Sequence, residues 1–375
     1  MLKRTIYLFA FVALLIACSS SDDSVDSNGN GDGFDRTLLL KNVADNVIMP
    51  AFVDLQAELS ALDIARGNFI NDMSSTNLQT LSNSWLEAYK VWQYVQIYNI
   101  GEADNLGGGE RGFVSFFNIY PVTVSDIETG ARTGSYDLNS SNYHDAQGFP
   151  ALDFLIHGVA TGDNLPIDKF MNNSDATGYV TYLTDVVAQM ITLNNRIVNS
   201  WQSGYRDIFV GNTQSGLNGS FNRIANDITY SYEKDFRAQK IGIPAGNFSD
   251  GGSLPEKVEA FYKRDVSKLL ALEALTGIEN LFNGRAYNSS VTGASFSTYL
   301  EFLDREDLVT EINNQFSAGR NALNGLNLDF YQQVNENNSQ MTAAYDVIQP
   351  AVPKLKVDMK QALNFVIDYV DGDGD

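Results

Sequence analysis

Apolar residues recur at steps of three and four along most of this chain. The pattern runs from Asp35 to Leu62 and is repeated over residues 78–95 and 182–201. Such steps place side chains on one face of an α-helix. Pro50 interrupts the first segment, so we expect a kink or a break there. The same spacing continues over residues 221–236, 256–277, 297–326 and 339–370. The pattern therefore predicts an all-α protein.

The connecting segments suggest how the helices are grouped. Gly, Ser, Asn and Gln cluster in residues 204–219, where we place a domain boundary. Residues 111–128 are rich in β-branched and aromatic side chains, but a lone strand would have no partner, so we expect short helical turns. Residues 129–147 are polar and predict a surface loop. We predict two helical-bundle domains in tandem, residues 35–205 and 206–375.

The first residues resemble a bacterial lipoprotein signal. Lys3 and Arg4 precede an apolar run, and Leu15-Ile16-Ala17-Cys18 has the form of a lipobox. We predict a signal peptide over residues 1–17, lipidation of Cys18, and a flexible linker over residues 18–34. The acylated cysteine would attach the chain to a lipid bilayer in the cell envelope. Ser19 and Ser20 follow the cysteine and favour the outer membrane, without indicating which face.

Charge and cysteine content exclude several classes of function. The chain has 46 acidic and 25 basic side chains and a formal net charge of −21, which disfavours nucleic-acid binding and attracts cations or basic partners. Cys18 is the only cysteine, so the chain has neither a disulfide framework nor a thiolate metal site.

The segment from Gly148 to Gly158, of sequence GFPALDFLIHG, carries the main candidate site. Proline near its start and glycine after its last turn predict a short helix. Asp153 and His157 are four residues apart and share one face of that helix. A carboxylate in so apolar a segment requires an ion pair, hydrogen bonds or a bound cation.

This segment resembles the G-x-H-x-x-E motif of the imelysin family. Gly148 matches the glycine, Asp153 stands in place of the glutamate, and Pro150 stands in place of the histidine. Proline has no side-chain lone pair and can neither ligate a metal nor move a proton. The resemblance extends over residues 36–375, with Trp85, Glu128 and Asn280 at positions similar to family motifs.

The resemblance implies an all-helical protein with a site at the interface of two bundle-like domains. Such families are classed as peptidases and linked to iron uptake. We therefore expect an iron-associated binding lipoprotein. Its partners would be iron, another divalent cation or a haem-type ligand, together with envelope transport proteins. The implied ligand-binding residues are Asp153, His157, Trp85, Glu128 and Asn280, and no residue is assigned as catalytic.

Two alternatives remain open at this point. A metallopeptidase of the imelysin class would need ligands such as two histidines and a glutamate base. The chain has only His144 and His157, and neither lies in an H-x-x-E or H-E-x-x-H motif. The other alternative is a non-catalytic envelope scaffold in which the altered motif only packs. The sequence does not identify the ligand or the oligomeric state.

Overall fold

Helices make up nearly all of the regular structure in the computed structural model, which describes residues 32–106, 112–214, 216–250 and 252–369. Within these ranges there is no β-strand, and only an isolated antiparallel bridge pairs Arg285 with Thr292. The prediction of an all-α fold is confirmed.

The first helix, α1, covers residues 36–71 without a break. It begins after Asp35, whose side chain accepts a hydrogen bond from the Thr37 N–H. Pro50 lacks the N–H that a regular helix uses, and its ring would clash with the carbonyl four residues earlier. The turns immediately before it, Val43–Ile48, are π-helical and therefore wider. The segments of α1 are Arg36–Asn42, Val43–Ile48 and Met49–Asn71.

Helix α1 packs against α2 (Ser75–Val95) and α5 (Ala176–Ser200). Two shorter helices lie between them in sequence, α3 (Val124–Thr133) and α4 (Gly148–His157). The polar segment expected to be a loop from residue 129 is thus helical as far as Thr133. The remaining short helical segments of this half are Glu102–Asn105, Val114–Phe117, Ser141–Ala146 (3-10), Asp168–Met171, Trp201–Tyr205 (π) and Arg206–Gly211.

The second half opens with α6, which covers residues 220–245 and is π-helical over Ser231–Gly242. Ser220–Tyr230 precedes this π-helical part, and Ile243–Ala245 follows it. The other helices are α7 (Ser267–Asn283), α8 (Phe296–Phe302), α9 (Glu306–Asn324), α10 (Phe330–Ile348) and α11 (Ala351–Pro353, Lys354–Met359 and Lys360–Leu363).

The helix expected over residues 256–277 begins eleven residues late. Only Pro255–Lys257 forms a single 3-10 turn, and residues 258–266 form a loop before α7. In this loop Ala260 and Arg264 have φ of 57° and 62°, which side chains other than glycine rarely adopt. We call residues 258–266 the seam loop because it meets α4 of the first half.

Buried apolar side chains form one continuous core cluster that includes both halves. Helix α7 packs against α2, and a Cβ atom at Gly277 would lie 3.3 Å from the Gln93 carbonyl oxygen. Arg36 of the first helix donates to the Tyr299 hydroxyl and the Leu363 carbonyl of the second half. The division at residues 205 and 206 remains a prediction.

The predicted signal peptide (residues 1–17), the lipidated Cys18 and the linker as far as residue 31 lie outside the described residues. The last linker residues are packed: the Phe34 ring stacks on Tyr299 with 3.9 Å between ring centroids. Among the helices of the described ranges, none is long and apolar enough to cross a bilayer.

We expect replacement of Gly148 by alanine to destabilise the fold by more than about 2 kcal/mol. Gly148 has a φ of +70°, and an added Cβ would lie 2.2 Å from the Phe117 carbonyl oxygen. Gly134→Ala is the matched control, because Gly134 has a φ of +66° but no atom within 4 Å of its Cβ position. It should cost only the backbone strain, about 1 kcal/mol. Urea unfolding of both variants measures the difference, and equal losses would contradict the steric argument.

Candidate functional site

Helix α4 lies where the two halves meet. Pro150 occupies its first turn, where the missing N–H costs nothing. The helix ends before Gly158, which is extended at φ −74°. A Cβ there would lie 2.5 Å from the Phe154 ring and 3.0 Å from the Tyr262 ring. Glycine is therefore needed at this position for the close approach of the seam loop and not for a left-handed turn.

The Asp153 carboxylate connects α4 to the seam loop. It is 1% exposed and accepts three hydrogen bonds. Oδ2 accepts from the Tyr262 N–H at 2.8 Å, while Oδ1 accepts from the Lys263 N–H and from His157 Nδ1, both at 2.9 Å. Two donors thus come from the second half of the chain and one from its own helix. These bonds satisfy the buried charge without an arginine or lysine partner.

His157 extends this chain of hydrogen bonds to α2. Its Nε2 lies 2.8 Å from the Ser82 hydroxyl. Because an ionised carboxylate only accepts, Nδ1 carries the proton, and in the neutral ring Nε2 accepts from Ser82. The order serine, histidine, aspartate is that of hydrolase triads. Ser82 is only 4% exposed, so we interpret these hydrogen bonds as structural. We call Ser82, His157 and Asp153 the positioning relay, because they connect α2, α4 and the seam loop.

Trp85 supports the relay from one side. Its ring packs edge-on against His157 with 4.9 Å between centroids, and its Nε1 donates to the Phe149 carbonyl at 3.1 Å. Trp85 is fully buried, so it fixes the orientation of the imidazole.

A second buried polar group lies at the same contact and was not expected from the sequence. Glu259 of the seam loop accepts from Asn118 at 3.0 Å, from Gln93 at 3.2 Å and from Lys240 at 2.5 Å. Tyr89 donates to Asn118 at 2.5 Å, and its pKa is raised well above 10 by burial and then by the Glu259 charge. We call these five residues the Glu259 network.

The Glu259 network was missed for an identifiable reason. Lys240 and Glu259 are separated by 19 residues, and Glu259 falls in the segment expected to be helical. The residues before Lys240 are mostly polar, so the local sequence does not indicate that this lysine is buried. Lys240 and Glu259 meet only because the seam loop folds back, and the spacing of residues in the sequence does not predict that fold.

Glu128 does not contact Asp153 directly. It is half-buried and accepts from the Thr161 N–H at 2.9 Å and from the Thr161 hydroxyl at 3.2 Å. Its charge nevertheless reaches the seam loop: the pKa of Tyr262 is raised to about 12 by burial, then by Asp153 and Glu128.

Asn280 lies apart from the other candidates, in a pocket between α7 and α9. Ser82 on α2 contacts His157, whereas Tyr94 on α2 donates to Glu273, one turn of α7 before that pocket. The two positions on α2 are about 18 Å apart along the helix axis. The structure thus brings Asp153, His157 and Trp85 together and leaves Asn280 outside.

The predicted ligands do not converge on a metal site. In the described part of the chain, no group of three or more His, Cys, Asp and Glu side chains is placed to hold an ion. His144 packs edge-on against Phe116 at 4.7 Å, and burial lowers its pKa.

An all-helical core that contains the glycine-to-aspartate segment at the contact of its two halves defines an imelysin-like protein. The Imelysin family model, Peptidase_M75, matches residues 48–355, and the chain belongs to the imelysin family.

Relatives of known name agree with this membership. The chain is 23% identical to iron-regulated protein A of Synechococcus elongatus over 321 residues, 83% of this chain and 82% of that protein. An imelysin-like protein from Psychrobacter arcticum 273-4 superposes with a TM-score of 0.67 at 15% identity, covering 90% of this chain and 98% of the other. An iron-regulated protein A precursor from Parabacteroides distasonis gives 0.65 at 14%, with 92% and 97% covered. The two structures show the shared fold.

We expect Asp153→Asn to lower the free energy of unfolding by about 2–4 kcal/mol. Its new NH2 group must face a backbone or imidazole donor, because both carboxylate oxygens accept hydrogen bonds. Asp63→Asn is the control: Asp63 is 42% exposed and paired with Arg66, so the change should cost under about 1 kcal/mol. Urea unfolding measures both values. A cost at Asp153 no larger than at Asp63 would contradict the bridging role.

A second prediction concerns Lys169, which is fully buried and donates to the carbonyl of Gly158, just after α4. Burial lowers the pKa of its amine from 10.5 to about 8. Between these pH values the unfolded chain holds the proton and the folded chain does not. The free energy of unfolding should therefore rise with pH from about 8 to about 10.5, and below about pH 8 this group should lower it by a constant amount that does not change with pH.

Chemical unfolding as a function of pH tests this expectation. Lys169→Met should remove the rise, while Lys90→Met, which changes a surface lysine, should retain it. Parallel curves for the wild type and Lys169→Met would show that the amine does not titrate in this window.

Proposed function

We propose that this chain is a lipid-anchored envelope protein with a role in iron uptake, and that it binds an iron-containing ligand where α4 meets the seam loop. The relatives named iron-regulated protein A support the link to iron. The lipobox at Cys18 supports anchoring, with the bilayer as one partner and envelope transport proteins as others.

The observation that carries this proposal is the concentration of buried charge at one contact. Asp153, Glu259 and Lys240 are each at most 2% exposed, and each is held by groups from both halves of the chain. Burying charged groups costs more free energy than burying apolar groups of the same size. These buried charges are therefore not explained by a gain in stability alone. Their position at an interface supports a binding role.

The seam loop supplies the means of access in this proposal. Ala260 and Arg264 hold φ values that cost on the order of 1 kcal/mol each, and strain of this kind concentrates at binding sites. Moving the loop would release these residues and uncover the Asp153 and Glu259 sites together, because the loop donates to Asp153 and carries Glu259.

A bare iron ion fits the described arrangement poorly. Iron requires several oxygen or nitrogen ligands, and the described residues do not gather three such side chains. Asp153 already accepts three hydrogen bonds, and His157 uses both ring nitrogens. We therefore propose a ligand that brings most of its own iron ligands, such as a ferric chelate or haem, with Asp153 as the principal protein contact.

Thermal unfolding tests the binding site. Ferric citrate or haem at saturation should raise the melting temperature by at least about 2 °C, whereas ferrous ion alone should not. Asp153→Asn should lose the shift, and Asp63→Asn should keep it. Hydrogen exchange at the Tyr262 and Lys263 amides should become faster with ligand, because the ligand replaces them at the carboxylate.

Three outcomes separate the alternatives. An unchanged shift in Asp153→Asn would place the ligand elsewhere. No shift with either iron complex would reject the iron ligand, and altered partner recovery in pull-downs of Asp153→Asn would then favour a scaffold. Anchoring is tested by palmitate labelling, which Cys18→Ala should abolish.

A further inference from the structure

A pocket of about 410 Å³ opens between α7 and α9, on the second half of the chain. Its volume is in the range of small-molecule sites. It is lined mainly by polar side chains that include two arginines, although the whole chain carries 46 acidic and only 25 basic side chains. This local reversal of charge makes the pocket a candidate site for an anion.

One of the two arginines is already neutralised. Arg320 donates to Glu279 at 2.5 Å and to the Thr276 hydroxyl at 3.0 Å. These bonds join α9 to α7 and fix one wall of the pocket. The Arg320–Glu279 pair therefore shapes the pocket but adds little net charge to it.

Arg285 has no such partner. It is exposed at the edge of the pocket, and within the described residues its guanidinium makes no hydrogen bond, ion pair or ring contact. Its backbone is nevertheless held in place, because its N–H donates to the Asn280 carbonyl at 2.9 Å and it pairs with Thr292. A guanidinium presents parallel N–H donors that match a carboxylate.

The neutral groups of the pocket also retain hydrogen-bonding capacity. The Asn280 amide and the Ser317 hydroxyl have no hydrogen-bond partner in the described part of the chain. Phe316 lies beneath the pocket and is 1% exposed, because its ring packs against Tyr232 and Phe282. The surface of the pocket thus combines one anion-binding group with two neutral hydrogen-bonding groups.

We propose that this pocket binds a hydroxylated carboxylate of the size of a sugar acid. Arg285 binds the carboxylate, and Asn280 and Ser317 bind hydroxyl groups. The site shares no residue with the contact between α4 and the seam loop, since its lining residues lie on α7, on α9 and at Arg285.

Isothermal titration of the full chain with D-glucuronate tests this site, with D-glucose as the matched probe in which a neutral hydroxymethyl group replaces the carboxylate. Glucuronate should bind saturably and glucose should not. Arg285→Ala should weaken binding at least about tenfold. Arg305→Ala removes the same charge from an arginine that pairs with Asp307 and should leave binding unchanged.

Further variants keep the result interpretable. Arg285→Lys retains the charge without the paired donors and should give an intermediate affinity, and the melting temperatures of both Arg285 variants should equal that of the wild type. Asp153→Asn should bind glucuronate normally, which separates this site from the proposed iron site.

Specific results would overturn the proposal. They are the absence of saturable glucuronate binding at roughly 10 mM, or equal affinities of the wild type and Arg285→Ala. If sulfate bound as tightly as glucuronate and Asn280→Ala changed neither affinity, the pocket would be a simple anion site, and recognition of hydroxyl groups would be wrong.

Discussion

The hydrogen bonds from the seam loop to Asp153 connect the two halves of this protein more directly than any other polar contact at α4. Apolar packing between helices is tolerant of small shifts, whereas a buried carboxylate has a fixed number of acceptor sites. Two backbone N–H groups of the seam loop must therefore lie within hydrogen-bond distance of α4, or a charge is left unsatisfied in the core. The strained φ values of the loop follow from this requirement, because the chain must turn sharply to present consecutive N–H groups to one side chain.

The hydrogen bonds of Asp153 are satisfied here without the motif histidine. With Pro150 in place of a histidine, α4 has no imidazole one turn before Asp153. His157, one turn after it, donates to the same carboxylate and reaches Ser82 on α2. In this chain the imidazole that contacts the acid therefore lies one turn after it on the same face of the helix.

Helical spacing was sufficient to predict the fold class, because amphipathic helices bury stripes that are visible in a single segment. It also predicted that Asp153 and His157 share a face. It failed at residues 258–266, which have the composition of a helix. There the free energy gained from the hydrogen bonds of Asp153 and Glu259 exceeds the local preference for a helix. Most of these bonds join groups that are more than 100 residues apart in the chain. At Pro50 the expected break is absent, because a π-helical segment directly before the proline accommodates it and the helix continues to Asn71.

Asn280 illustrates that residues at motif positions need not lie together. The resemblance to the family grouped it with Asp153, whereas the structure places it on α7 in the pocket with Arg285. The two regions differ in their chemistry. The contact around Asp153 is closed, acidic and satisfied internally, so a ligand must displace protein donors to enter. The pocket around Arg285 is open, and within the described residues the side chains of Arg285, Asn280 and Ser317 make no hydrogen bond, so a ligand would add bonds to them without breaking any. Binding at the first region must therefore be coupled to movement of the seam loop, whereas binding at the second need not change the fold.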